Sequence, residues 1–217
     1  MSRAPILSRD TARRQFFRTF LHDVATPLSA VSLHLEGAIR RLARGDNPAE
    51  SLDVARTELG RVFELFEDGR ELLLSEPRDA ENFAFDEWVE AAVRAVGGDG
   101  IGVEGSTGGR IEGDREKLAE ALSSLLINAL EHASSAPVRV FRERDGNRLQ
   151  VRIENVGRLP GDDPEKLFAP RAAGAGKKWG MGLARARLFA ADAGGSVQLC
   201  QNGDRVSAVL TLPEEPS

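Results

Sequence analysis

From Phe17 onward, apolar residues recur at alternating steps of four and three: Leu21, Val24, Leu28, Val31, Leu35, Ala38 and Leu42. That spacing draws one stripe along a helix packed lengthwise against another helix. The pattern breaks at Arg44, Gly45, Asp46, Asn47 and Pro48. Asn47 is placed to cap a new helix, and Pro48 to take its first position. The same period then resumes with Leu52, Ala55, Leu59, Val62, Phe66, Gly69 and Leu73. Two long helices joined by so short a loop must lie antiparallel. Phe16, Phe20, Phe63 and Leu65 widen the stripes beyond what one partner helix covers. The expectation is a hairpin that two copies assemble into a four-helix bundle.

Near Ser75, Glu76, Pro77 and Arg78 the period is lost, which sets a boundary between residues 1–76 and 77–217. Strand and helix signals alternate from there. FAF reads as a short strand, and DEWVEAAVRAV as a helix capped by Asp86. A glycine-rich stretch leads to RIEGD, whose Asp114 is placed to cap a helix over roughly Arg115 to Ala133. VRVFRER and RLQVRIENV pair as a hairpin about Asp145, Gly146 and Asn147. A glycine-rich loop precedes a helix from about Gly182 to Ala193, and SVQLC and RVSAVLTL close the chain around Asn202 and Gly203. This half is read as an α/β sandwich.

Composition narrows the function classes. A formal charge of −5 lacks the basic excess that a nucleic-acid phosphate backbone demands. The lone Cys200 rules out an internal disulfide and fits a reducing compartment. No run reaches the eighteen or so apolar residues of a membrane span, so the chain is expected to be cytoplasmic, or the soluble piece of something larger. His34, Trp88 and Cys200 show no metal-ligand spacing and are assigned to packing or surface.

One helix-breaking residue sits inside the first stripe, in LHDVATPL, residues 21–28. Pro27 cannot donate to the carbonyl of Asp23 and crowds that turn, a cost of about 3 kcal/mol that packing must offset. The helix is expected to bend or loosen just below His22, a candidate hinge.

HDVATPL resembles the phosphoacceptor box of histidine kinases. Three further stretches resemble that family's boxes in the family's order: GDREKLAEALSSLLINALEHA its N-box helix, IENVG its first glycine box and GMGLARARLFAADAGGSV its second. Four boxes in order form a much stronger signal than any one alone. The resemblance runs from about Phe16 to Pro213. It implies a dimerisation and histidine-phosphotransfer hairpin followed by a Bergerat-type ATP-binding α/β domain.

Several residue roles follow from the resemblance. His22 is implied as the nucleophile, with Asp23 as the acidic neighbour that takes the proton on its other ring nitrogen. Thr26 lies one turn along on the same face. Either it orients the water that removes phosphate from a partner's aspartate, or its hydroxyl bonds the preceding turn. Asn128 is implied as the magnesium ligand, a hard carbonyl donor otherwise out of place among Leu125, Leu126, Ala129 and Leu130. His132 falls where polar side chains approach phosphates, and a plain exposed histidine is an equal alternative.

The first glycine box departs from the family. Asn155 replaces the aspartate that accepts from the adenine amino group; it keeps an acceptor oxygen and loses the charge-assisted part. Gly157 matches, whereas Leu159 replaces the next glycine. AAGAGKKWGMG lies where the family has its lid, with Gly180 and Gly182 offering amides to phosphates at a helix start and Lys177 adding charge. ATP and Mg2+ are the cofactors so implied, and a response regulator receiver domain the partner. The leading reading is an ATP-dependent histidine kinase of a two-component system that phosphorylates His22 and passes the phosphoryl group to an aspartate. The alternative is a histidine phosphotransferase of the same fold with a degenerate nucleotide site. A third reading, a dimeric scaffold without phosphate chemistry, leaves HDVAT unexplained.

Overall fold

The computed structural model describes residues 9–74, 79–98, 100–134, 137–161, 163–168 and 181–216. Two units are distinguishable, one within Gln15–Glu76 and one within Pro77–Ala169 and Met181–Ser217, with residues 9–14 at the start of the first helix grouped with the second. The first is a hairpin of α1 (Arg9–Ala43) and α2 (Ala49–Leu74). The break falls where the sequence puts it. Asn47 Oδ1 accepts from the Ala49 amide at 2.9 Å, and the Pro48 carbonyl accepts from Leu52 N, so Pro48 opens the first turn.

The seam between the helices keeps Val24, Ala38, Ala55 and Val62 of the expected stripes and departs from them elsewhere. Buried between them are Phe16, Phe20, Val24 and Ala38 of α1, with Ala55, Val62, Leu65 and Leu72 of α2. Phe16, Phe20 and Leu65, read from the sequence as flanking residues, therefore form the core of the hairpin. Phe16 and Phe20 stack at 5.9 Å, and Phe66 meets Phe20 edge-on at 5.8 Å. Gly69 makes room for that ring, since a Cβ there would stand 2.3 Å from Phe20 Cε2. The expected stripe residues Phe17, Leu21, Leu28, Leu35 and Leu42 are exposed instead, as are Leu52, Leu59 and Phe66 opposite, while the side chain of Leu73 lies outside the described ones. Phe63 is exposed too, at 64%. At about 100° per residue, each exposed row lies roughly a quarter turn from its helix's buried row. Because the helices run antiparallel, the two rows fall on one side of the hairpin.

The second unit runs β1 (Glu81–Ala84), α3 (Phe85–Ala95), β2 (Ile101–Glu104), β3 (Arg110–Gly113), α4 (Arg115–His132), β4 (Val138–Asp145), β5 (Arg148–Val156), a short 3-10 helix (Pro164–Phe168), α5 (Gly182–Asp192), β6 (Ser196–Asn202) and β7 (Arg205–Pro213). A five-stranded sheet in the order β2-β4-β5-β7-β6 is antiparallel except for β2 alongside β4, and β1 pairs with β3 apart from it. Burial alternates strictly along β5, with Leu149, Val151, Ile153 and Asn155 inward. α4 supplies the opposing layer through Leu118, Leu122, Leu125 and Leu126. Both two-residue hairpin turns fall on a left-handed glycine as read, Gly146 at φ 63° and Gly203 at φ 62°. β2, β3 and the 3-10 helix are additions that the sequence pattern did not announce. Trp88 is the expected anchor, buried between Phe83 and Phe85.

One cap is different. Asp114 accepts from Lys117 N as expected, but α3 begins at Phe85, so Asp86 sits inside its first turn. Its carboxylate reaches across to the loop before β3, accepting from the Thr107 and Gly108 amides at 2.9 Å each and from the Ser106 hydroxyl at 2.7 Å. Burial alone would raise the carboxyl's pKa, but the hydrogen bonds from Ser106, Gly108 and Thr107 outweigh it and hold the group below its ordinary 3.8. A lowered folded pKa means the ionised group stabilises the fold above its unfolded pKa, and that this stabilisation is lost as pH falls through the lowered value. Thermal melts should therefore show the wild type losing stability on acidification below about pH 3.8. Asp86→Asn should be weaker at neutral pH and show a flatter acid limb. Parallel acid limbs would remove the carboxylate from this role.

Candidate functional site

The first constellation lies on one turn of α1. The His22 side chain is 80% exposed and its Nδ1 lies 3.2 Å from Asp23 Oδ1. A carboxylate can only accept, so in this contact Nδ1 is the donor, and in the neutral ring the lone pair is then on Nε2. Asp23 is half-buried beside the seam, which limits its freedom to leave the imidazole. Thr26, exposed one turn along, donates from Oγ1 to the His22 carbonyl at 3.3 Å. Its hydroxyl thus rests on the preceding turn, a long bond that an incoming water or partner can replace cheaply.

Pro27 leaves no break. α1 is continuous from Arg9 to Ala43, and Pro27 is buried on the seam side. Pro27 still leaves the Asp23 carbonyl without its intrahelical amide donor. Packing offsets the local cost, and Thr26 and Ser29 add hydroxyl bonds to carbonyls four residues back.

The second constellation gathers around α4 in the α/β unit. One turn from Leu125, Asn128 is half-buried at the edge of the buried face of α4. One turn before it is Ser124, against which the first residue of α5 packs; a Cβ on Gly182 would sit 3.6 Å from Ser124 Cβ. The start of α5 is thereby held beside the face that carries Asn128. The N-cap residue Met181 makes no side-chain cap, so the opening amides of α5 have no side-chain acceptor from that position. An Arg185–Glu120 ion pair ties the two helices further along. These features suit an anion at the head of α5 and a hard cation at Asn128. Among the described residues no three His, Cys, Asp or Glu side chains cluster as metal ligands, so a cation here would need oxygen donors from its anion as well.

The end of β5 adds the third element. Asn155 is buried, at 5%, and its Nδ2 donates to the His132 carbonyl at 3.3 Å and to the Val156 carbonyl at 3.4 Å. His132 thus enters through its backbone, while its imidazole is exposed at the end of α4. Gly157 is needed for this contact, because a Cβ there would lie 2.9 Å from the His132 oxygen. Lys177 and Gly180 lie outside the described residues.

Three participants went unread in the sequence. Gln201 straps the glycine-box loop to the last hairpin: its Oε1 accepts from Leu159 N at 2.8 Å, and its Nε2 donates to the carbonyls of Gly157, Gly203 and Arg205. No periodicity marks such a residue. Ser124 had a signal, being a polar residue one turn from Asn128 on the same apolar helix. Arg187 of α5 stacks 3.4 Å over the Phe168 ring and forks onto Glu165, joining the 3-10 helix to α5.

Residues 113–216 match the family model for histidine kinase-, DNA gyrase B- and HSP90-like ATPases. The chain is 28% identical over 232 residues to the sensor-like histidine kinase SenX3 of Mycolicibacterium smegmatis, covering 95% of this chain and 59% of that protein. It is 26% identical to the signal transduction histidine-protein kinase AfsQ2 of Streptomyces coelicolor, over 99% of this chain and 44% of that one. The chain thus spans about half the length of these relatives. Among solved structures, the histidine kinase AdeS of Acinetobacter baumannii aligns with a TM-score of 0.56 at 20% identity, over 90% of this chain and 98% of that one, a likeness of fold. No helix of the described residues is long and apolar enough to cross a membrane.

Proposed function

We propose, on the premise that the chain resembles the catalytic core of histidine kinases in fold and in box order, that it is a protein histidine kinase of a two-component system with His22 as its phosphoacceptor. The observation that carries this reading is the Nδ1–Asp23 contact on a solvent-facing imidazole. With Nδ1–H held by Asp23, the Nε2 lone pair attacks the γ-phosphorus of ATP as the bond to the β–γ bridging oxygen breaks and ADP leaves. Asp23 stabilises the positive charge that develops on the ring. In this reading Asn128 holds Mg2+, which when bound neutralises charge on the β- and γ-phosphates. The amides at the head of α5, Gly182 among them, would meet the phosphates, with Gly180, Lys177 and His132 assigned to phosphate binding by the same resemblance. Asn155 and Gly157 flank the adenine.

The phosphoryl group would then pass from Nε2 to an aspartate of a receiver domain. Thr26, freed from the His22 carbonyl, would orient water for the reverse hydrolysis on that aspartate. The paired exposed rows, Phe17, Leu21, Leu28 and Leu35 with Leu52, Leu59 and Phe66, are the surface of a homodimeric four-helix bundle. Residues 1–76 are proposed as the phosphotransfer region and 77–217 as the ATP-binding domain.

The test is incubation with Mg2+ and γ-labelled ATP, followed by addition of a receiver domain. Acid-labile label on the protein that chases onto the receiver supports the kinase. Absence of label from ATP, with label gained from a phosphorylated receiver, would overturn it in favour of a relay. Pro27→Ala enters the same assay. Restoring the amide should raise the hairpin's melting temperature, by part of the roughly 3 kcal/mol that proline costs, while slowing transfer to and from His22. Unchanged rates would reduce Pro27 to a tolerated residue.

A further inference from the structure

We infer that Asn155 is a positioning residue that locks the end of α4 to the glycine-box loop through its amide, and that the lock admits asparagine but excludes an ionised aspartate. This rests on the nucleotide-binding reading for its consequence and on the geometry alone for the lock itself.

Both atoms facing Asn155 Nδ2 are backbone carbonyl oxygens, those of His132 and Val156. Neither can donate, so the amide cannot be turned over without setting its oxygen against theirs. The Val156 carbonyl is further fixed by the amide and hydroxyl of Ser134, at 2.9 Å and 3.1 Å. Gly157 closes the arrangement from the other side, where a Cβ would press on the His132 oxygen and stand 3.0 Å from Asn155 Nδ2. Two neighbouring residues of the box are thus explained by one contact.

Two consequences follow. The lock fixes the last turn of α4, the helix that carries Asn128, so a change at residue 155 is felt at the cation site. It also spends the amide's donors, leaving Oδ1 as the open valence. A ligand therefore meets an acceptor at this position, as it would meet the aspartate of the resembled family, even though the charge is absent. Restoring that aspartate would place a carboxylate against two carbonyl oxygens in a buried site, where neither facing atom donates and its charge is penalised.

The expectation runs against the family pattern: Asn155→Asp weakens ATP binding at pH 7.5 by about tenfold or more rather than strengthening it. Its apo form should melt near the wild-type temperature at about pH 4, where a protonated carboxyl still donates to the His132 oxygen. It should fall progressively behind as pH rises, because a raised folded pKa gives stability that is lost through that pKa. The charged or titratable residues adjoining it in sequence, register or hydrogen bonding are His132 on α4, Glu154 on β5, Arg158 after it, Asp204 in the last hairpin turn and Arg205 at the start of β7. All are present in the wild type, so subtracting its profile isolates the introduced carboxyl. Asn155→Ala, which opens the lock without adding charge, should lose stability by the same amount at every pH. Tighter ATP binding by Asn155→Asp, or an apo deficit that does not grow with pH, would overturn the lock. Failure of the wild type to bind ATP would overturn the nucleotide reading, and the apo melts would still decide the lock.

Discussion

His22→Ala should abolish acid-labile label from γ-labelled ATP, a loss on the order of a thousandfold or more, while leaving the affinity for ATP unchanged. The size follows from the chemistry: a covalent phosphotransfer without its acceptor has no alternative route. The unchanged affinity follows from the division of the chain, since the candidate nucleotide residues lie in the α/β unit and His22 lies in the hairpin. The imidazole is exposed and donates to Asp23 alone among the described partners, so its removal disturbs little packing. Asp23 keeps its place beside the seam, and the apo melting temperature should scarcely move. Label persisting at half the wild-type level would place the acceptor elsewhere.

Asn128→Ala should act in the opposite order, on binding before chemistry. Losing a direct oxygen donor to the cation is expected to weaken binding of Mg2+ with ATP by roughly 10- to 100-fold, or about 1.4–2.8 kcal/mol, with label incorporation falling at least as far. The apo protein should be as stable as the wild type or slightly more so. Alanine is the better helix former, and Asn128 is half-buried on an apolar face of α4. A residue held for function is one whose removal costs activity and not stability. Isothermal titration in Mg2+, paired with apo melts, reads both quantities. A fall in apo stability with unchanged affinity would make Asn128 a packing residue.

Much of the fold was legible because local chemistry and tertiary packing agree. Asn47 and Pro48 mark the helix break, Asp114 caps α4, and Gly146 and Gly203 supply the left-handed turns of the two hairpins. The sense of the hairpin seam was not legible. Phe16 adjoins Phe17 and Phe20 adjoins Leu21, so two apolar stripes a quarter turn apart fit the same helix, and period alone cannot say which faces α2. Only the fit of Phe20 over Gly69 decides it. β2 and β3 escaped because four-residue strands containing glycine carry almost no alternation. Asp86 reads as a cap because acidic residues favour helix starts, yet loop amides 21 and 22 residues away outcompete that role.

Of the candidate site, the His22–Asp23–Thr26 turn was legible, since its parts are neighbours in sequence. Asn128 stood out as a polar residue on an apolar helix. The partners of Asn155 were hidden, because His132 contributes a carbonyl that every residue type possesses. Gln201 was hidden for the same reason, its four contacts all being to main chain.

In the proposed reaction His22 Nε2 takes the γ-phosphoryl group of ATP. Peptide mapping of the labelled protein by mass spectrometry, under conditions that preserve phosphoramidates, measures this directly. One phosphorylated peptide containing residues 19–40 is expected, with the modification on His22 and not on His34, dependent on Mg2+ and absent from Asn128→Ala. Phosphate on any other residue, or unmodified His22 in a protein that binds ATP with Mg2+, would contradict it.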